Sequence, residues 1–105
     1  MIDKRNFYIN GKWVKPLMEN DFNVINPSNE DPFAVISLGK KIDVDNAVTA
    51  AKNAFKDWSQ SDKKYKISLL EKLYNIYKSR WDEITDIMSK EMGAPLDWSS
   101  SAQTS

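Results

Sequence analysis

From Val44 to Trp58, the residues Val44, Ala47, Val48, Ala51, Phe55 and Trp58 recur at the three-four spacing of one helix face. Asp45, Asn46, Thr49, Lys52, Asn53 and Lys56 fall on the opposite face. A strand cannot carry that period, because its side chains alternate every second residue. Asp43 stands where an N-cap is expected, and Asp45 adds negative charge to the first turn. Ser59-Gln60-Ser61-Asp62 interrupts the pattern, and a second helix is expected from Asp62 to Lys78. Its apolar residues, Ile67, Leu69, Leu70, Leu73, Tyr74, Ile76 and Tyr77, make a face wide enough to need covering from more than one side. A third helix starts at Ser79, read as its cap with Asp82 and Glu83 in the first turn. Ile84, Ile87, Met88 and Met92 form its apolar face; Gly93 suits the left-handed closing residue and Pro95 forbids continuation.

Before Gly39 the period changes to that of strands. Phe7-Tyr8-Ile9 and Lys12-Trp13-Val14 flank Asn10-Gly11, the pair that best tolerates the positive φ angles of a type I′ hairpin turn. Lys15 to Asp21 is a polar connection. Phe22–Ile25 and Phe33–Leu38 are β-prone and are expected to pair around the Pro- and Asn-rich run from Asn26 to Pro32. After Pro95 the serine-rich tail shows no cap and no packing pattern, and reads as a disordered end or an element cut in its middle. The expected organisation is a single α+β segment: a β-hairpin region at 7–38, a helical region of three amphipathic helices at 43–93, and a truncated element at 94–105.

Composition removes several functions. The 105 residues suffice for one small, marginal core. Lys plus Arg and Asp plus Glu balance at 15 each, so there is no net positive charge to hold nucleic acid or an anionic membrane. No apolar run approaches a membrane span and no hydrophobic signal core follows Met1, so a cytoplasmic address is expected. The chain has no cysteine and no histidine, which removes the thiolate nucleophile, the commonest general base and the commonest transition-metal ligands. Gly11, Gly39 and Gly93 are scattered and build no phosphate loop. Ser99–Ser101 have no partner base.

One residue stands out. Glu91 lies seven residues after Ile84, among the apolar side chains of the third helix, where a carboxylate needs a partner. Lys66, which falls within the apolar arc of the second helix, is one candidate partner if its stem does not simply snorkel to water. A hard cation completed by carbonyl oxygens is the other.

In order and spacing, several short pieces together resemble the N-terminal part of the aldehyde dehydrogenase superfamily, from about Phe7 to the last residue. They are Tyr8-Ile9-Asn10-Gly11-Lys12-Trp13-Val14, Val24-Ile25-Asn26-Pro27, Asp43-Val44-Asp45, Ala54-Phe55-Lys56-Asp57-Trp58, Leu69-Leu70 and Glu91-Met92-Gly93-Ala94-Pro95-Leu96. Lys66 departs from the arginine usual in the family, which keeps the charge but loses bidentate pairing. The resemblance implies an NAD(P)-dependent enzyme that oxidises an aldehyde to a carboxylic acid, with the aldehyde substrate and further copies of itself as partners of the whole. In such enzymes a cysteine attacks the aldehyde, hydride passes to the nicotinamide and a glutamate activates water. None of those motifs lies in this chain, so it is expected to be inactive alone and to bind neither NAD nor NADP. The resemblance also implies a monovalent-cation site, Na+ or K+, at the carbonyls of Val24 and Ile25 and the carboxylate of Glu91. The contrasting reading is a non-enzymatic helical module, derived from that family, that docks onto a partner.

Overall fold

Asn10 and Gly11 take φ angles of 52° and 74°, the paired left-handed conformation that a type I′ turn demands. The flanking strands β2 (Phe7–Ile9) and β3 (Lys12–Val14) follow β1 (Ile2–Lys4) in the chain and pair antiparallel, with Tyr8 opposite Trp13. Their rings meet at 5.2 Å between centroids. A Cβ added at Gly11 would meet nothing within 4 Å. Gly11→Ala is therefore expected to cost only the backbone strain of a left-handed alanine, about 1 kcal/mol, measured as the shift in a denaturant midpoint at constant slope.

The computed structural model describes residues 1–105. They form two compact units, Met1–Val24 with Pro32–Gln60, and Ile25–Asp31 with Ser61–Ser105. In the first, β5 (Pro32–Ser37) is the central strand of a three-stranded sheet in the order β1-β5-β4, with β4 spanning Asp21–Ile25. The expected pairing of the two β-prone runs is present, closed by a hydrogen bond from Leu38 N to Asn20 O at 2.8 Å. The strand β1, which no local pattern in the sequence marks, runs parallel to β5 with Ile2 opposite Ala34. Ala34, on the central strand, is the one buried apolar residue of the whole chain.

Helix α1 spans Lys41–Trp58 and so begins before Val44. Asp43 is not its N-cap. It lies in the first turn, where Oδ2 accepts from Lys40 N at 2.9 Å and Oδ1 from Leu17 N at 3.1 Å. The carboxylate is buried and ties the irregular 15–20 segment to the start of the helix. Asp43→Ala should cost about 1.5–3 kcal/mol, as expected for hydrogen bonds to a charged group. The check is amide hydrogen exchange, which should accelerate at Leu17 and Lys40 before the rest of the unit.

In the second unit, α2 (Lys63–Ser79) starts after Asp62, as expected. The break to α3 (Trp81–Met92) falls at Arg80, whose φ of −107° and ψ of 15° interrupt the helix. Ser79 does not cap α3. It is the last residue of α2, and its Oγ donates back to Ile76 O at 2.7 Å. Arg80 turns away to form a bidentate pair with Glu83, at 2.8 and 2.6 Å. Gly93 closes α3 with φ 71°. The tail is ordered: α4 (Leu96–Trp98) runs on as a π-helical turn over Ser99–Gln103, ended by Thr104 N donating to Ser99 O at 2.8 Å.

This tail packs on α3 through polar groups. Thr85 and Thr104 share a hydroxyl–hydroxyl bond at 2.9 Å, and Thr104 Oγ1 also donates to Ser99 O. Tyr77 Oη donates to Thr104 O at 2.7 Å, and Trp81 Nε1 to Ser100 Oγ at 3.1 Å. Ser99 and Thr104 are the most deeply buried side chains of the protein, at 0% and 1% exposure. The seam of α3 that packs thus carries the buried Thr85 with half-buried Trp81 and Met88; of the expected apolar face Ile84 and Met88 are half-buried, while Ile87 and Met92 are exposed.

Apolar side chains elsewhere stay open to water. Phe55 is 65% exposed, Leu70 64%, Leu73 61% and Tyr74 63%. The chain exposes 8461 Å² for a mass of 12.1 kDa. A compact monomer of that mass exposes about 6,000 Å², and two separate half-size globules would expose about 7,300 Å² together. Even the looser comparison leaves an excess of about 1,200 Å².

Candidate functional site

Glu91 occupies the penultimate position of α3, one residue before Met92. Its side chain is exposed, because the seam of α3 that packs is the Thr85 side and not the Ile87 and Met92 side. The ion pairs of this helix are Arg80–Glu83 and Lys90–Asp86. Glu91 forms no ion pair, with Lys66 or with any other cation of the chain. The apparent need for a buried partner came from assigning the wrong face to the interior.

The other two residues of the implied cation set lie at the end of β4. Val24 is half-buried and belongs to the first unit; Ile25 is 44% exposed and belongs to the second, as does Glu91. Ile25 leads into a rigid turn. Asn26 N donates to Asp31 O at 2.9 Å, Glu30 N to Asn26 O at 2.8 Å, and Ser28 N to Asn26 Oδ1 at 2.9 Å. The Pro27 ring of this turn sits on Gly93: a Cβ built there would lie 2.7 Å from Pro27 Cγ. The segment that follows Ile25 therefore meets the segment that follows Glu91. One free carboxylate with main-chain carbonyls is a donor set suited to a hard cation. No group of three or more acidic side chains is placed to hold a metal.

A second concavity lies within the first unit. It encloses about 520 Å³ and is lined by Asp3, Arg5, Trp13, Lys15, Glu19 and Asp21, among others. Arg5 bridges its floor, with Nη2 at 2.7 Å from Asp3 Oδ2 and Nη1 at 3.0 Å from Asp21 Oδ2. The hydrogen bond from the Arg5 side chain, reinforced by one from Arg5 N, holds the exposed Asp3 carboxyl below its ordinary range. The Asp3 side-chain bond, more than that from Asp21, pushes the Arg5 guanidinium further from deprotonation. These charges satisfy one another and leave no poised acid, base or nucleophile. The sequence reading missed this cluster, and the charged Asp3-x-Arg5 spacing beside a strand was the available signal.

The three glycines make no phosphate cradle: Gly11 turns the hairpin, Gly39 lies against the Phe7 ring ahead of α1, and Gly93 closes α3. This layout of small sheets and successive helices, closed by a Gly-Ala-Pro stop, matches a known family. The sequence signature of the aldehyde dehydrogenase family spans residues 13–104, and the chain belongs to that family. It is 45% identical over 96 residues to 3-succinoylsemialdehyde-pyridine dehydrogenase of a Pseudomonas species, an alignment covering 91% of this chain and 20% of that enzyme.

Among solved structures, the aldehyde dehydrogenase of Bartonella henselae superposes with a TM-score of 0.97 at 44% identity, over 99% of this chain and 22% of that one. Aldehyde dehydrogenase C of Pseudomonas syringae, in complex with NAD+ and octanal, gives 0.92 at 32% identity, over 95% and 21%. The chain spans about a fifth of the length of these relatives, and its fold matches the N-terminal region of theirs.

Proposed function

We propose that this chain serves as the N-terminal part of an NAD(P)-dependent aldehyde dehydrogenase that oxidises an aldehyde to a carboxylic acid, and that it is inactive alone. The observation that carries the proposal is the pairing of a family fold with bare apolar helices. Phe55, Leu70, Leu73 and Tyr74 are each more than 60% exposed, as expected of elements that rest on a larger body. With no cysteine in the chain, the nucleophile belongs to residues outside it. NAD or NADP is likewise held by other parts of the whole enzyme, which acts as a homo-oligomer in the cytoplasm. No helix here is long and apolar enough to cross a membrane.

Within the whole enzyme, the Glu91 carboxylate and the carbonyls of Val24 and Ile25 would hold Na+ or K+. That role is structural: the cation would neutralise a carboxylate with no partner in this chain and fix the end of β4.

The test is an assay of the purified 105-residue chain with octanal and either NAD+ or NADP+, read as formation of reduced nicotinamide. No reduction above the protein-free rate is expected. Turnover by the chain would overturn the proposal.

A further inference from the structure

Asn10 and Gly11 form the whole of the two-residue turn between β2 and β3, and both are exposed. The ladder ends at the Ile9–Lys12 pair, which leaves the Gly11 N–H outside it. No main-chain bond of the turns and loops engages that N–H, and the Asn10 side-chain amide has no hydrogen-bond partner in the chain. A Cβ built on Gly11 would meet nothing within 4 Å, so the space over this peptide bond is open to water. We propose that Asn10 is a self-modification site, where Gly11 N displaces the side-chain amide and water then leaves aspartate or isoaspartate at position 10. The Gly11 N–H gives its proton to solvent, and a bond forms from N to Asn10 Cγ. The Cγ–Nδ2 bond breaks and the nitrogen departs as ammonia, with a proton from water, leaving a cyclic imide. Water opening the imide at Cγ gives aspartate; opening at the main-chain carbonyl carbon gives isoaspartate. There is no net oxidation or reduction.

Sequence and geometry single out Asn10. It is the only asparagine that precedes a glycine, and a residue without Cβ bends most freely into the imide. Asn26 precedes Pro27, which has no N–H to attack with, and its Oδ1 is held by Ser28 N at 2.9 Å. Asn29 Oδ1 accepts from Asp31 N at 3.1 Å. Asn46, Asn53 and Asn75 lie inside α1 and α2, where main-chain N–H groups are committed to the helix. The two products differ in consequence. Asp-Gly suits a type I′ turn as Asn-Gly does, so the aspartate form keeps the hairpin and adds one negative charge to a chain balanced at 15 and 15. Isoaspartate puts an additional carbon in the main chain, and hairpin register depends on loop length. That form therefore loses the Ile9–Lys12 register and with it the Tyr8–Trp13 contact at 5.2 Å.

The experiment holds the purified 105-residue chain in neutral buffer and follows it by anion exchange and by peptide mapping with mass spectrometry, isoaspartate being counted by enzymatic methyl transfer. Asn10 is expected to convert before any other asparagine, giving both products. Gly11→Ala should slow conversion at least fivefold, because the methyl group crowds the attacking nitrogen. Asn10→Asp should keep the Tyr8 ring shift in proton NMR, whereas the purified isoaspartate form should lose it. Conversion that begins at another asparagine, or that runs at an unchanged rate in Gly11→Ala, would overturn the assignment. So would an Asn10 that stays intact in the folded chain while urea-unfolded chain converts, since the hairpin would then protect it. An isoaspartate form with the ring contact intact would overturn the structural consequence.

Discussion

Gly93→Ala is expected to destabilise the second unit by about 2–5 kcal/mol, combining about 1–2 for a left-handed alanine with about 1–3 for steric overlap. The first contribution follows from φ 71° at position 93. The second arises because the new methyl group would fall 2.7 Å from Pro27 Cγ, inside van der Waals contact. The Pro27 ring has little room to retreat, since the turn that carries it is held by main-chain bonds on both sides of Asn26. Gly93→Ala combined with Pro27→Ala should recover the steric share and leave the backbone strain. Thermal unfolding gives the total, and exchange at the Gly93 amide, which donates to Ser89 O at 2.8 Å, localises it. If Gly93→Ala cost no more than Gly11→Ala, the Pro27 contact would have no energetic weight.

The second large effect concerns the hydroxyl pair of Thr85 and Thr104. Thr104→Val keeps the shape but leaves the buried Thr85 hydroxyl without its partner at 2.9 Å, and should cost about 1–3 kcal/mol. Thr85→Val should cost less, because the Thr104 hydroxyl still donates to Ser99 O. The double variant should be less destabilised than the sum of the two, because it removes the unmet Thr85 hydroxyl and leaves only the loss of the Thr104 Oγ1 bond to Ser99 O. Additive losses in a denaturant series would refute the coupling. Tyr77, whose hydroxyl reaches Thr104 O, offers an independent handle through Tyr77→Phe, with an expected loss of about 1 kcal/mol.

Legibility followed the strength of local chemistry. Asn10-Gly11, the period from Val44 to Trp58 and the Gly93 stop each encode their structure within a few residues; the turn and the stop appear where the sequence placed them, and the helix ends at Trp58 but starts earlier, at Lys41. Capping residues were displaced by one turn or less. Asp43 bonds to the main chain from inside the helix, and Ser79 bonds backward into α2, because a short polar side chain serves either neighbour. The strand β1 escaped notice because its pairing is with β5, far along the chain, and nothing local announces a parallel partner.

The larger misreading was of α3 and the tail. Period identifies which side chains favour burial, but a helix face finds its partner only if the chain supplies one. Here the tail offers serine and threonine, so α3 turns its Thr85 side inward and leaves Ile87 and Met92 in water. Glu91 follows them outward. Its conspicuous position in the sequence is thus a property of the uncovered face it shares. The family pieces were legible for a different reason: they are spread through both units and need no knowledge of which face is covered.

The π-helical turn makes the number of residues in the serine run matter in its own right, beside the hydroxyls they supply. Each residue of an α-helix advances the chain by about 100° around the axis. Removing one residue from the run Ser99-Ser100-Ser101 would swing Thr104 by that angle, away from Thr85, whichever serine was lost. Three equivalent deletions at the level of the gene therefore yield one protein, with the buried Thr104 hydroxyl turned out of its seat. Insertions carry the same hazard. Besides the hydroxyls that Ser99 and Ser100 contribute, the stretch has a fixed length, a spacer whose tolerance is counted in residues.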